Sequence, residues 1–150
     1  MKWDKRFINL STHISDWSKD PSTKCGAVIT KGNRIISLGF NGFPQGIEDH
    51  DERLNNREVK YKMVLHAEVN ALLFANKDLS GCTIYVSPMP PCSRCAAQII
   101  QSGIKRIVTM EPTEDAISRW GDDFRVAEIM YREANVELCF LAQVQKYNDD

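Results

Sequence analysis

No stretch of this 150-residue chain approaches the roughly 18 consecutive apolar residues of a membrane span. The start, Met1-Lys2-Trp3-Asp4-Lys5-Arg6, is charged and no apolar run follows it, so no secretory leader is expected. An excess of one charge is also lacking: 19 Lys and Arg stand against 20 Asp and Glu, a net charge of −1. No general basic field therefore attracts a nucleic-acid backbone or an anionic membrane, and neither is expected as a partner. A small charged ligand needs only a few local cations. The five cysteines, an odd number, argue against a disulfide framework. In a reducing compartment, closely spaced cysteines are more often metal ligands or catalytic groups. The expected location is cytoplasmic. Internal repeats, low-complexity segments and linkers are absent from the sequence, and the length suits one domain, residues 1–150, with a real core.

What is present has the composition of a soluble globular protein, 43% hydrophobic and 26% charged. Trp3, Phe7, Leu10, Ile14 and Trp17 recur at steps of four and three, which predicts a first helix with those residues on one face. The stretch Ser18-Lys19-Asp20-Pro21-Ser22-Thr23 ends it. Strand-like runs follow at Cys25 to Thr30 and Arg34 to Phe40, joined by a hairpin turn at Lys31-Gly32-Asn33. Residues 41 to about 60 show no period and read as a long loop, a feature that is usually functional or disordered in a small domain. A helix is expected over Val64 to Asn76, a strand over Thr83 to Ser87, a helix over Cys92 to Ser102 stopped by Gly103, and a strand over Ile104 to Met110. Residues 111 to 120 read as a connection. Asp122 to Asn135 suits a helix with Phe124, Ala127, Met130, Tyr131 and Ala134 inward, before a last strand at Val136 to Leu141. Asn148-Asp149-Asp150 is expected to fray. Strands alternating with helices predict an α/β sheet covered by helices, entered by a hairpin and continued by parallel crossovers.

Two short segments carry the chemistry: His66-Ala67-Glu68 and Pro91-Cys92-Ser93-Arg94-Cys95. With Pro91 at a helix start, Cys92 and Cys95 lie three apart on one face of the first turn. The helix N-terminus favours the thiolates that a metal needs. His66, from the start of another helix, completes a three-ligand zinc site with a fourth position left for water. A closed structural site would require another protein ligand. Neither His13 nor His50 is spaced closely to the cluster, and Cys25, Cys82 and Cys139 sit in strand-like runs that suit small core residues. Zinc bound in an open site lowers the pKa of its water from about 15.7 to roughly 7. Glu68, two residues past His66, is the candidate proton carrier.

At these residues the chain resembles the cytidine and deoxycytidylate deaminase superfamily, whose signature is H-x-E followed by P-C-x-x-C. The resemblance to deoxycytidylate (dCMP) deaminases covers most of the chain. Ser18-Lys19-Asp20-Pro21-Ser22-Thr23-Lys24-Cys25-Gly26-Ala27-Val28-Ile29 is similar to their entry into the first strand. Gly39-Phe40-Asn41-Gly42-Phe43-Pro44-Gln45-Gly46 resembles their Gly-Tyr-Asn-Gly-x-Pro-x-Gly loop. His66 to Ala71 and Cys95 to Lys105 complete the pattern.

The resemblance implies a three-layer cytidine-deaminase-like fold with a five-stranded mixed sheet. It implies zinc-dependent hydrolysis of dCMP to dUMP and ammonia, which supplies dUMP for thymidylate synthesis. On the same ground Asn41 contacts the substrate sugar, the Ala67 backbone holds the pyrimidine carbonyl, and Thr23 belongs to the substrate-binding entry segment. Gly42, Phe43, Gly46 and Asn70 border a regulatory nucleotide, with dCTP as activator and dTTP as inhibitor. A homo-oligomer, in the family often a hexamer, is implied too. With only His50 in the long loop, one zinc per chain is expected.

One region departs from the family pattern. Many dCMP deaminases carry an Asp-Lys-Tyr-His-like segment after the fourth strand, where this chain has Glu111-Pro112-Thr113-Glu114 and later Arg119-Trp120-Gly121. The departure is similar to a bacterial and viral variant of the family. Arg119 is a candidate for the 5′-phosphate and Trp120 for a wall against base or sugar. Lys24, Arg53 and Arg57 compete for the phosphate. Two other readings stay open: a zinc deaminase of another cytosine nucleoside, nucleotide or related base, and a non-catalytic zinc or nucleotide-binding module.

Overall fold

The computed structural model describes residues 2–142; the expected fraying of Asn148-Asp149-Asp150 lies outside them. Along the chain run α1 (Lys2–Ser15), β1 (Gly26–Lys31), β2 (Arg34–Phe40), α2 (Asp51–Asn55), α3 (Arg57–Met63) and α4 (Ala67–Ala75). They are followed by β3 (Thr83–Ser87), α5 (Ser93–Gln101), β4 (Arg106–Met110), α6 (Glu114–Glu133) and β5 (Glu137–Leu141). The five strands form one sheet in the order β2-β1-β3-β4-β5. β1 is antiparallel to both β2 and β3, and the β3–β4 and β4–β5 pairs are parallel. The mixed sheet is therefore the expected one, a hairpin followed by crossovers through α5 and α6.

Alternation along the strands divides the core into two layers. Ala27, Ile29, Ile84, Val86 and Ile107 face α4, α5 and α6, which contribute Ala67, Ala71, Ala96, Ile99, Ala127 and Tyr131. Val28, Tyr85, Val108 and Met110 face the other way, onto Phe7 and Ile8 of α1. Each fully buried isoleucine contributes about 1.5–3 kcal/mol of transfer free energy. On the α1 side a partly buried polar network joins helix to sheet. Arg106 donates to both Asp4 carboxylate oxygens, at 2.8 and 2.7 Å, and the Tyr85 hydroxyl donates to Asp4 Oδ1 at 2.8 Å.

Several sequence expectations need correction. Trp3 and Trp17 are 42% and 53% exposed rather than inward. The buried stripe of α1 instead includes Asp4, Phe7, Ile8, Ser11, Ile14 and Ser15, and the helix stops before Trp17. Small residues are needed there because α1 lies directly on β1: a Cβ at Gly26 would stand 2.0 Å from the Ser11 carbonyl oxygen. Residues 41–60 are not all loop, since they contain α2 and the start of α3. Leu54 is the one buried residue of α2 and α3 has none, so neither helix leaves a hydrophobic period to read.

The helix expected from Val64 begins at Ala67. Val64 caps α3, and Leu65 pairs with Gly42 in an isolated antiparallel bridge. Residues 111–120 are not a connection either. Thr113 caps α6 by accepting a hydrogen bond from the Ala116 N–H, so Arg119, Trp120 and Gly121 are helical. The inward set on α6 holds: Phe124, Ala127 and Tyr131 are buried, and Met130 and Ala134 are partly so.

Candidate active site

Two helix N-termini meet at the site. His66 is the N-cap of α4 and Cys92 the N-cap of α5, both in extended backbone, and neither side chain makes a capping hydrogen bond. Their polar atoms turn toward each other instead. His66 Nδ1 lies 3.3 Å from Cys95 Sγ and 3.5 Å from Cys92 Sγ, and all three ligand atoms fall within 4.8 Å of one another. Around a tetrahedral zinc with ordinary Zn–S and Zn–N bonds, a sulfur and a nitrogen stand about 3.6 Å apart. The donor set and its spacing thus fit one tetrahedral metal ion. Cys95 is buried, Cys92 half-buried and His66 exposed, which leaves one side of the cluster open.

The three side chains shift one another's proton affinity. The Cys92 thiol is held well below its usual pKa, chiefly by a hydrogen bond from Cys95 and next by His66. Cys95 is held up, because the Cys92 thiolate and burial both keep its proton in place. His66 is raised, foremost by its hydrogen bond with Cys92. Glu68 sits in the first turn of α4 and is 4% exposed. Burial raises its pKa, the direction expected of a carboxyl group that must both take and give a proton.

The fold places α4 by close backbone contact. A Cβ at Gly39 would be 2.6 Å from both the Ala67 carbonyl oxygen and the Ala71 nitrogen. The Ser37 hydroxyl donates to the Ala71 carbonyl at 2.7 Å, and the Asn70 amide donates to the Phe40 carbonyl at 2.8 Å. Gly42 and Leu65 exchange backbone hydrogen bonds at 3.1 and 2.8 Å just ahead of His66. The loop containing Asn41 and Gly42 is therefore part of the frame around His66.

Asn41 is buried and joins two segments. Its Oδ1 accepts from the Cys25 N–H at 2.9 Å, and its Nδ2 donates to the Thr23 carbonyl at 2.9 Å. One donor and one acceptor site on the amide remain for a ligand. Thr23 is also tied down through its N–H to Asp20 Oδ1, at 3.1 Å. Phe43 is half-buried, and Gly46 is exposed with φ +81°, a left-handed conformation that glycine adopts freely.

The cations singled out from sequence are scattered. Arg119 is exposed and lies 3.4 Å from Asp115, one turn back on α6, and Trp120 is 37% exposed. Arg53 donates to the Glu48 carbonyl, Arg57 covers the Tyr61 ring, and Lys24 is exposed. Sequence reasoning missed Lys60. Its ammonium donates to Asp20 Oδ1 at 3.1 Å and to the Ser22 hydroxyl at 3.2 Å, beside Thr23. Asp123 was missed as well: its carboxylate accepts from both the N–H and the hydroxyl of Ser93, the residue after Cys92.

Comparison with known proteins gives the family. Residues 1–111 match the family model for the cytidine and deoxycytidylate deaminase zinc-binding region. A protein of Aliivibrio fischeri named "Uncharacterized deaminase in luxG 3'region" is 51% identical over 140 residues, covering 93% of this chain and 94% of that protein. The human deoxycytidylate deaminase is 36% identical over 117 residues, which are 73% of this chain but only 65% of the human protein. The crystal structure of the dCMP deaminase of cyanophage S-TIM5 in complex with dCMP and dUMP has the same fold. Its TM-score is 0.74 at 23% identity, with 93% of this chain and 97% of that one covered. With the His66–Cys92–Cys95 cluster, the buried Glu68 and the match over residues 1–111, this chain belongs to the cytidine and deoxycytidylate deaminase family.

Proposed function

We propose that this chain hydrolyses dCMP to dUMP and ammonia, using one zinc ion held by His66, Cys92 and Cys95. The observation that carries the reading is a three-ligand cluster, open on one side, with a buried carboxyl group two residues from one ligand. A structural zinc site has no use for that carboxyl. Bound zinc would lower the pKa of a water from about 15.7 to roughly 7, so that a nucleophile exists at neutral pH.

The chain's own residues do the rest. Glu68 accepts a proton from the attacking water and delivers it to the ring nitrogen next to the carbon that bears the amine. It then moves the second proton to the departing amine, which leaves as ammonia while the carbon–oxygen bond becomes a carbonyl. The Ala67 backbone meets the pyrimidine carbonyl, and Asn41 meets the sugar with the amide sites that Cys25 and Thr23 leave free. Thr23 belongs to the same wall. Arg119 binds the 5′-phosphate and Trp120 closes the pocket beside it.

The finer reading follows the family. It includes supply of dUMP for thymidylate synthesis, a cytoplasmic location and a homohexamer. Activation by dCTP and inhibition by dTTP would occur at a site bordered by Gly42, Phe43, Gly46 and Asn70. The names of the human and cyanophage relatives support dCMP as substrate. The test is ammonia release from dCMP, cytidine, dCTP and tRNA, with and without dCTP and dTTP as effectors. Turnover greatest with dCMP, raised by dCTP and lowered by dTTP, is the expected result. Greater turnover of another substrate reassigns specificity. No turnover of any base by the zinc-loaded protein leaves a non-catalytic binding module.

A further inference from the structure

A cysteine that serves as both N-cap and metal ligand leaves its helix short of an acceptor. Cys92 caps α5 in extended backbone, φ −67° and ψ 166°, without a side-chain hydrogen bond to the helix. A Ser, Thr, Asp or Asn in its place would accept from an orphan N–H of the first turn. The Cys92 sulfur instead lies 3.5 Å from His66 Nδ1. The first unpaired donor of α5, the Ser93 N–H, is met from α6. Asp123 Oδ2 accepts from the Ser93 N–H at 2.8 Å, and Asp123 Oδ1 accepts from the Ser93 hydroxyl at 2.6 Å.

Ser93 stands between the two cysteines in sequence, one residue after Cys92 and two before Cys95. A bidentate hold on Ser93 fixes the peptide that follows Cys92 and the first turn that carries Cys95. The carboxylate is also placed where a helix N-terminus favours negative charge. The rest of α6 is anchored independently by Phe124, Ala127 and Tyr131, which are buried. Asp123 is thus held by a helix with its own packing and is not a free surface side chain reaching inward.

We infer that Asp123 is a positioning residue for the metal centre: by gripping Ser93 it keeps the Cys92 and Cys95 sulfurs at the spacing that one metal ion requires. The inference rests on the reading that His66, Cys92 and Cys95 hold the metal. Groups that orient metal ligands typically change metal affinity 10- to 100-fold when removed.

Zinc dissociation constants, measured by competition with a chromophoric chelator, test it on wild type, Asp123→Ala, Asp123→Asn and Ser93→Ala. Cobalt(II)-substituted samples report thiolate-to-metal charge transfer independently of turnover. Asp123→Ala should bind zinc about 10- to 100-fold more weakly and show an altered cobalt band. Asp123→Asn should stay within about threefold, because its amide oxygen can accept from the Ser93 N–H while its NH2 donates to the Ser93 hydroxyl oxygen. Ser93→Ala keeps the N–H and should fall between them. Melting of the metal-free proteins separates a general loss of stability from a loss of affinity. A folded Asp123→Ala protein with wild-type zinc affinity and cobalt spectrum overturns the inference. If that variant does not fold, wild-type affinity in Ser93→Ala overturns it instead. Tight zinc binding by Cys92→Ser would sink the metal-site reading itself, which is a different failure.

Discussion

Gly39 and Ala67 touch through their backbones: a Cβ on Gly39 would lie 2.6 Å from the Ala67 carbonyl oxygen. The contact seats the first turn of α4 on β2, and that turn carries Glu68 just after His66. No side-chain rotation relieves the overlap, because both atoms that the Cβ would meet at 2.6 Å are backbone. Gly39→Ala should therefore cost about 1–3 kcal/mol and shift α4 away from β2. Chemical denaturation measures the first effect. Activity should drop by more than the unfolded fraction accounts for, since Glu68 and His66 move together. Wild-type stability in Gly39→Ala would show that α4 adjusts freely.

Glu68 and the cysteines make separable contributions. Glu68→Gln keeps the shape of the side chain and removes its proton chemistry. It should retain wild-type zinc content and fold while turnover falls by about 100- to 10,000-fold. Cys92→Ser should lose zinc and turnover together. Metal analysis beside the activity assay separates the two cases. Full turnover in Glu68→Gln would remove it from the mechanism, and normal zinc in Cys92→Ser would remove that ligand.

The parts legible in the sequence are those encoded over short distances. Cys25 to Thr30 is a short apolar run bounded by turn residues, so β1 could be read directly, within a residue of its observed bounds. His66, Glu68, Cys92 and Cys95 form two short motifs, and the fold brings His66, Cys92 and Cys95 together as a group that could hold a metal ion. The helices over residues 51–63 were hidden because they bury almost nothing, so no apolar stripe marks them. The start of α6 was obscured by Gly121 and by Ile117 and Trp120, apolar side chains left partly exposed. Thr113 was the available clue, an N-cap three residues before a paired N–H. The hold of Asp123 on Ser93 was not legible, because it joins residues 30 apart through tertiary packing.

Asp4 ties stability to acid pH. Hydrogen bonds from Arg106, and next from Tyr85, lower its pKa from an ordinary 3.8 to about 2. Its folded-state pKa is depressed, so the stabilisation is fully present above the unfolded pKa and is lost as pH falls through about 4 toward 2. Asp4→Asn should melt below wild type at pH 7, and the gap should narrow across that window. Thermal melts at pH 7, 5, 4 and 2.5 check it. A gap that stays constant with pH would mean that the Asp4 charge contributes nothing.

Arg119 offers a clean separation of binding from folding. Its contact with Asp115 joins two exposed side chains one turn apart on α6, and such a pair contributes about 0.3–0.5 kcal/mol. Arg119→Ala should therefore leave the melting temperature nearly unchanged. If Arg119 binds the 5′-phosphate, the lost charged hydrogen bond is worth about 1.5–3 kcal/mol, roughly a 10- to 100-fold rise in KM for dCMP. Deoxycytidine, which has no phosphate, should show no change. Steady-state kinetics on the two substrates decide the matter. An unchanged KM for dCMP would move phosphate recognition to another cation, with Lys60 the first to test: its ammonium already reaches the Ser22 hydroxyl beside Thr23.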